Sequence, residues 1–257
     1  MEGIRRIDVL GCPFDAISFD ATLRVVHQAV VERRRCRIVP ANVDTAMQVR
    51  RGADLARVIS GADLVIADGN FIVWAAALLG TPLHGRVSGT ELTWQCAAVS
   101  AQTGRALALI GAAPGIAART AQLMRQGFAG AQVHAIATPF PLDAAGSEQV
   151  VAQIRSLDAG IVLAALGAPR QERWIETYLE ACGASVGIGI GSAFDILSGD
   201  KPRAPMWMQR LSLEWFYRML LEPRRLGRRY LVDDMPFVFA LLREVARRRV
   251  LARRPVP

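Results

Sequence analysis

Three groups of residues in this chain have the types and placement to do chemistry. Asp68 follows four apolar residues, Leu64-Val-Ile-Ala67, and enters an Asp-Gly turn. A carboxylate at the C-terminal end of a parallel strand is a recurrent general base, because strands stop there and the crevice beyond them takes ligands. The same residue can equally cap the next helix from an ordinary Asp-Gly turn. Arg86 lies in Gly85-Arg-Val-Ser-Gly89, just before a helix that Ser88 or Thr90 can cap. There it is either a solvated surface charge or an anion contact beside the helix N-terminus. The third group fills residues 160–229. An apolar run from Ile161 to Leu166 breaks at Gly167-Ala-Pro169 and continues as Arg170-Gln-Glu-Arg-Trp174. A second run, Val186 to Ile190, ends in Gly191-Ser-Ala-Phe-Asp195 and is followed by Lys201-Pro-Arg-Ala-Pro205 and Glu214-Trp-Phe-Tyr-Arg218.

These residues need a scaffold that ends its strands on one edge. Residues 5–12 read as a first strand, and residues 22–34 as a helix with Leu23, Val26, Val30 and Val31 as its apolar residues. A strand at 36–39 precedes helical patterns that last to residue 62, and a helix at 71–79 precedes the one that runs to about residue 101. A strand at 105–110 turns through Gly111-Ala-Ala-Pro-Gly115 into a helix ending near residue 126. A strand at 133–137 and a helix at 147–155 follow. This alternation predicts an α/β, Rossmann-like fold, a mostly parallel sheet flanked by helices. The turn at Gly111 can cradle a nucleotide phosphate, with Pro114 in the first helical turn. The GxGxxG fingerprint is missing after the first strand, where Leu10-Gly-Cys-Pro-Phe14 stands, which disfavours a nucleotide-dependent oxidoreductase. Gly187-Ile-Gly-Ile-Gly191 lies within and at the end of a strand, where close packing against a neighbour accounts for its glycines.

Charge divides the chain. Residues 1–202 hold 18 Lys+Arg and 18 Asp+Glu, whereas residues 203–257 hold 13 Arg and 5 acidic residues, so the whole net charge of +8 lies in the last segment. Such a segment suits acidic lipid, a phosphorylated ligand or nucleic acid. A GC-rich genome accounts for an arginine excess equally well. With 257 residues and 52% hydrophobic content, the expected organisation is an α/β catalytic domain at 1–202 and an Arg-rich helical appendage at 203–257. In the appendage, a helix opened by Pro205 carries Trp207, Leu211, Trp215 and Met219 at four-residue spacing, and Glu222-Pro223 breaks it. Four arginines lie within residues 224–229. Pro236 opens a last segment at 237–250, which fits either a helix lying in a membrane interface or a packed helix with a solvated charged face. Four cysteines without CxxC pairing and three scattered histidines predict neither a disulfide framework nor a zinc site, and fit a reducing cytoplasm. Val9-Leu-Gly-Cys12 resembles the end of a lipoprotein signal, but Asp8 interrupts any apolar run before it. No stretch reaches the ~18–20 apolar residues of a membrane span, so membrane contact is expected to be peripheral.

Taken in register, Asp68-Gly69, Arg86-Val-Ser-Gly89, Leu166-Gly-Ala-Pro-Arg-Gln-Glu172, Gly191-Ser-Ala-Phe-Asp195, Arg203-Ala-Pro205, Glu214-Trp215, Arg218 and Glu222-Pro-Arg-Arg225 resemble the WecG/TagA/CpsF glycosyltransferase family. The resemblance spans about residues 42–230. It implies inverting transfer of a sugar from a UDP-sugar donor to a polyprenyl-diphosphate-linked saccharide acceptor. The setting would be exopolysaccharide, teichoic acid or surface glycan assembly on the cytoplasmic face of the bacterial plasma membrane. It also implies a catalytic group of Asp68 as base, Arg86 on phosphate oxygens and Gln171 orienting hydroxyls. Substrate contacts are implied at Asn42, Gly111, Gly167, Glu172, Asp195, Arg203, Arg218, Arg225 and Arg228, the last three closing over the site from the appendage. The Asp-x-Asp triplet that holds a divalent metal in many sugar-nucleotide transferases is absent. No metal or other cofactor is therefore expected, and arginines take its place as counter-charge. An acidic membrane surface is an expected partner and nucleic acid is not, while a homo-oligomer and a monomer closed by its own tail both fit. The competing class is a non-catalytic protein that binds membrane or nucleic acid through its basic tail. Pro40 stands where the family usually has Thr, Glu91 where Asp is common, and Asn70-Phe71 where residues are small. These departures border the pocket, so donor or acceptor choice is expected to differ.

Overall fold

The computed structural model describes residues 3–210 and 213–252. The single strand expected at residues 5–12 is a hairpin, β1 (Arg6–Val9) paired antiparallel with β2 (Cys12–Asp15). Leu10 and Gly11 turn it with φ of 58° and 91°, the left-handed backbone that a two-residue hairpin loop demands. Arg6 grips Asp15 through two bonds of 2.8 Å, and Asp15 accepts the Val65 N–H at 2.7 Å, which fastens the hairpin to the main sheet.

The main sheet has six strands: β3 (Cys36–Ala41), β4 (Leu64–Ala67), β5 (Ala106–Gly111), β6 (Val133–Ile136), β7 (Ala159–Ala165) and β8 (Val186–Gly189). Their order is β4-β3-β8-β7-β5-β6 and every pairing is parallel. Parallel strands need helical crossovers, and these cover both faces. On one face lie α1 (Phe19–Val31), α5 (Gly89–Thr103), α6 (Ile116–Gly127) and the short α9 (Ala193–Leu197). There Val26, Leu92, Met124 and Phe194 pack against Ile38, Leu109 and Ile188. The other face carries α2 (Val43–Arg51), α3 (Ala53–Ser60) and α4 (Asn70–Leu78) at the β3–β4 end, and α7 (Ala144–Ser156) and α8 (Arg170–Tyr178) at the β7–β5 end. The helices after β3, β4 and β7 therefore depart to one face, and those after β5 and β8 to the other. That divergence opens a crevice beyond the C-terminal edge of the sheet.

After β8 the described chain is helical: α10 (Met206–Arg210), α11 (Glu214–Leu221), α12 (Pro223–Arg228), a π-helical turn (Arg229–Asp233) and α13 (Met235–Ala252). The one helix expected to carry Trp207, Leu211, Trp215 and Met219 is not formed. Leu211 lies outside the described residues, and Leu213 leaves the helix to donate its N–H to the Met208 carbonyl at 2.8 Å. Trp207 and Trp215 thus stand on separate helices. Pro223 opens α12 at the first helical position, which needs no N–H. In α13, Phe237 is buried in the cluster that also holds Val9 and Phe14, with Ala240, Leu241 and Val245 packed behind it. The outward side of α13 is apolar too, with Val238, Phe239 and Leu242 exposed among its arginines. No described helix is long and apolar enough to cross a membrane. All four cysteines are free and buried, and burial pushes their thiols up to about 12.

The turn after β5 shows how tightly the strand ends are set. Gly111 has φ of +84°, and a Cβ there would lie 2.5 Å from the Ala165 carbonyl oxygen and 2.9 Å from Leu166 Cδ2. Its N–H donates to Thr138 Oγ1 at 3.0 Å, and the Ala112 N–H donates to the Ala165 carbonyl at 3.0 Å. Pro114 falls in this turn, not in the helix, because α6 starts after Gly115. Gly111→Ala should lower unfolding free energy by roughly 2–4 kcal/mol in urea titration, since it adds left-handed strain to a backbone clash. A loss below about 0.5 kcal/mol would show that the turn can shift freely.

Candidate active site

Asp68 closes β4, and its own N–H donates to the Ala41 carbonyl at 2.9 Å, which sets it beside the end of β3. It does not cap α4, whose N-cap is Gly69 without a side-chain bond. The carboxylate turns instead to the N-terminus of α5, where Oδ1 accepts the Gly89 N–H at 3.2 Å. Ser88 is the cap of α5, its Oγ accepting from the Glu91 N–H. Gly89 is what lets the helix end come so close, since a Cβ there would sit 3.2 Å from Asp68 Oδ2 and 3.3 Å from Pro40 Cβ. Pro40 is tolerated within β3 because pairing with β8 has stopped by that position.

The charges of two arginines reach this carboxylate. Burial lifts the Asp68 carboxyl above the usual aspartate range, while the Gly89 N–H and the charges of Arg86 and Arg218 pull it back and Glu214 adds to the lift. Arg86 Nη1 lies 3.5 Å from Glu214 Oε2, with each side chain about a quarter exposed. Arg218 Nη2 donates to Ser192 Oγ at 2.6 Å, tying α11 to the turn after β8. Glu214 and Arg218 are four residues apart on α11, so one helix face supplies both. Next to them is a cavity of about 380 Å³ lined by Lys201, Arg203, Glu214, Arg218 and Glu222. Lys201 spans it, 3.1 Å from Glu222 and 3.8 Å from Asp195. The volume falls in the range of small-molecule sites, and the lining sets three cations, Lys201, Arg203 and Arg218, among three carboxylates, Asp200, Glu214 and Glu222.

The structure gathers some of the expected residues and separates others. Asp68, Arg86 and Arg218 converge, with Arg203 on the adjoining cavity and Asp195 paired to its Lys201. Gly111 and Gly167 turn the ends of the neighbouring strands β5 and β7. Asn42 closes β3 and caps α2, with Oδ1 accepting from the Thr45 N–H at 3.1 Å. Gln171, expected to line the pocket, is only 4% exposed. Its Nε2 donates to Glu172 Oε1 at 2.8 Å, its Oε1 accepts the Gly191 N–H at 3.1 Å, and its side chain fills the space left by Gly189. Gln171 therefore holds the turn after β8 from beneath instead of offering its amide to a hydroxyl. Glu172 is buried with it and lines a small void beside Arg37, Val58 and Ile175. Arg228 stands exposed at the end of α12, and the Arg225 side chain lies outside the described residues. Sequence reasoning did not assign roles to Glu214 or Ser192, although the four-residue spacing of Glu214 and Arg218 was a usable signal. Among the described residues, no three His, Cys, Asp or Glu side chains gather where they could hold a metal ion.

Glu172 has a measurable consequence. Burial and the nearby Asp44 lift its carboxyl above the usual glutamate range, against the bond from Gln171, and its Oε2 has no hydrogen-bond partner. Below the unfolded value of about 4.3 the acid is protonated in both states and nothing is lost. As pH rises through the lifted folded value, the folded state must ionise a buried group and stability falls. Glu172→Gln should therefore match the wild type in thermal midpoint near pH 4.5 and exceed it near pH 8. A difference that does not vary with pH would remove the buried acid from the explanation.

Comparison with known proteins places this arrangement among relatives. The sequence model described as the glycosyl transferase WecG/TagA/CpsF family matches residues 7–251. An N-acetylglucosaminyldiphosphoundecaprenol N-acetyl-beta-D-mannosaminyltransferase of Bacillus spizizenii (strain W23) is 30% identical over 188 residues, 73% of this chain and 72% of the relative. The protein of the same name from Bacillus subtilis (strain 168) is 29% identical over the same shares. One from Staphylococcus aureus (strain NCTC 8325) is 25% identical over 225 residues, 87% of each chain. With nearly its whole length matched, the chain belongs to the WecG/TagA/CpsF family of glycosyl transferases.

Proposed function

We propose that the protein transfers a sugar, with inversion, from a UDP-sugar to a saccharide carried on polyprenyl diphosphate. The observation that carries this reading is the Asp68 carboxylate at the sheet edge, within electrostatic reach of Arg86 and Arg218 and beside a cavity lined by Lys201, Arg203 and Arg218 among three carboxylates. The relatives' names, which specify a diphosphoundecaprenol-linked acceptor, support the acceptor class. In the reaction, an acceptor hydroxyl oxygen attacks the anomeric carbon as Asp68 takes its proton. The bond from that carbon to the diphosphate breaks on the opposite side, and its electron pair leaves with UDP. Arg86 and Arg218 offset the charge that grows on the diphosphate, the part a metal ion takes in other transferases. A carboxylate lifted above its usual range is the stronger base, provided it is ionised at working pH.

The acceptor would be presented at a membrane surface. The outward apolar residues of α13, Val238, Phe239 and Leu242, lie among arginines, a composition suited to the boundary between acidic headgroups and acyl chains. Since α13 also packs on the α/β body through Phe237, docking there would hold the site at a fixed height above the bilayer.

The test of function is UDP release from a panel of UDP-sugars, with UDP-N-acetylmannosamine tried first, a polyprenyl-diphosphate-linked N-acetylglucosamine acceptor and EDTA present. Release with one donor is expected, and no release from any donor would overturn the reading. Asp68→Asn should lower kcat by about a hundredfold or more with UDP binding retained. In the wild type, kcat/KM should climb with pH through the lifted Asp68 value, on a limb above the usual aspartate value of about 3.9. That limb should vanish in the variant, and a full-rate variant would dismiss Asp68 as base. Phe239→Asp with Leu242→Asp should cut binding to vesicles containing acidic lipid by about tenfold or more, each charge being costly at an apolar boundary. Undiminished sedimentation with vesicles would exclude this face of α13.

A further inference from the structure

Helix α4 carries an apolar stripe that the fold does not use. Phe71, Trp74 and Leu78 follow one another at three- and four-residue spacing on one side of the helix, and are 41%, 48% and 58% exposed. The opposite side, Ile72, Ala75 and Ala76, is fully buried and already joins α4 to the core. Two aromatics and a leucine so exposed, in a row, mark a surface that meets something apolar.

Its position says what. The stripe begins three residues after Asp68, and it continues across the boundary with the appendage. The Phe71 ring meets Trp74 edge-on at 5.3 Å and Trp215 at 5.9 Å, and Trp215 in turn meets Phe216 at 5.8 Å. Trp215 adjoins Glu214, the partner of Arg86. One end of this aromatic ridge thus touches both elements that bring charge to the site. The other end runs away from it along α4 towards Leu79, whose carbonyl is held by Arg248 of α13 at 2.6 Å. At the rise of an α-helix, Trp74 and Leu78 lie roughly 6 and 12 Å beyond the first helical residue.

We infer that Phe71, Trp74 and Leu78, with Trp215 and Phe216, seat the first isoprene units of the acceptor's lipid chain when its sugar hydroxyl is at Asp68. This rests on the function proposed above and adds to it a specificity-determining surface distinct from the outward face of α13. A ridge of rings packed edge to face suits a branched, unsaturated chain, which has methyl groups to lay on ring faces and no polar atom to satisfy. The sugar and diphosphate stay in the polar crevice, and the chain leaves along the apolar track that begins at Phe71 and Trp215.

The test reads binding without turnover. Geranyl, farnesyl and geranylgeranyl diphosphate, kept below micelle-forming concentrations and without vesicles, would be titrated calorimetrically into the wild type and into the double variant Trp74→Ser/Leu78→Ser. Affinity for the wild type should rise with each isoprene unit. The double variant should lose about tenfold for the longest chain, the effect of removing one well-covered aromatic contact, while binding UDP as before. A wild type indifferent to chain length, or a double variant that keeps the full gain, would overturn the inference. So would a variant that keeps the gain but no longer binds vesicles, which would give the ridge to the bilayer. A variant that keeps the gain and loses self-association in sedimentation would give it to a second copy of the chain. Failure of the donor panel to release UDP is a separate outcome and would strike the proposed function itself.

Discussion

A carboxylate drawn partly out of water at the end of a strand has to be met by positive charge, and most of the architecture around Asp68 answers that requirement. The α5 N-terminus brings a backbone N–H and the positive end of a helix dipole to Oδ1, and Gly89 is the residue without bulk that allows the approach. Arg86 comes from the loop just ahead of that helix. Arg218 comes from the far end of the chain, on α11, and the same helix sends Glu214 to hold Arg86. The sheet edge supplies the carboxylate and the appendage supplies part of its compensation, so neither makes the site alone.

A second polar chain supports the first from below. Glu172 receives the Gln171 amide, Gln171 receives the Gly191 N–H, and the next residue, Ser192, receives Arg218. The buried end of this chain is an acid whose carboxyl burial lifts above its usual range, and the part-buried end is a guanidinium whose charge reaches the candidate base. Gln171 thus influences the site through the backbone it fixes, with no need to face the cavity. The packing demands of β8 follow from the same arrangement, since Gly187 makes room for Ile175 and Gly189 for Gln171.

Much of this was legible in the sequence, for identifiable reasons. Buried parallel strands announce themselves as short apolar runs, and Asp68, Gly111, Gly167 and Gly191 stood where those runs stopped, as the sheet places them. The hairpin at residues 6–15 was not legible as such, because Leu10 is a poor advertisement for a left-handed turn and the pairing depends on Asp15 reaching β4. Four-residue spacing suggested one long helix through Trp207 and Trp215, but periodicity cannot see Leu213 folding back on Met208. The burial of Gln171 was not legible for a related reason. A polar residue at a helix start reads as available, and its burial depends on Gly189 of β8 and on the Gly191 N–H in the turn beyond it. Glu214 went unassigned because its partner, Arg86, is remote in sequence.

The burial of Phe237 bears on how the chain is made. The cluster it completes also contains Ile7, Val9, Leu10, Cys12 and Phe14, so β1, β2 and α13 share one apolar core. During synthesis from the N-terminus, the hairpin and the strands β3 and β4 emerge long before α13 is available to cover them. Closure of that cluster brings α13 onto α2, far from it in sequence, which places it late in folding. Until α13 has been made, the apolar residues of that cluster lack the cover that Phe237 gives them, and the seam beside the sheet stays open to water.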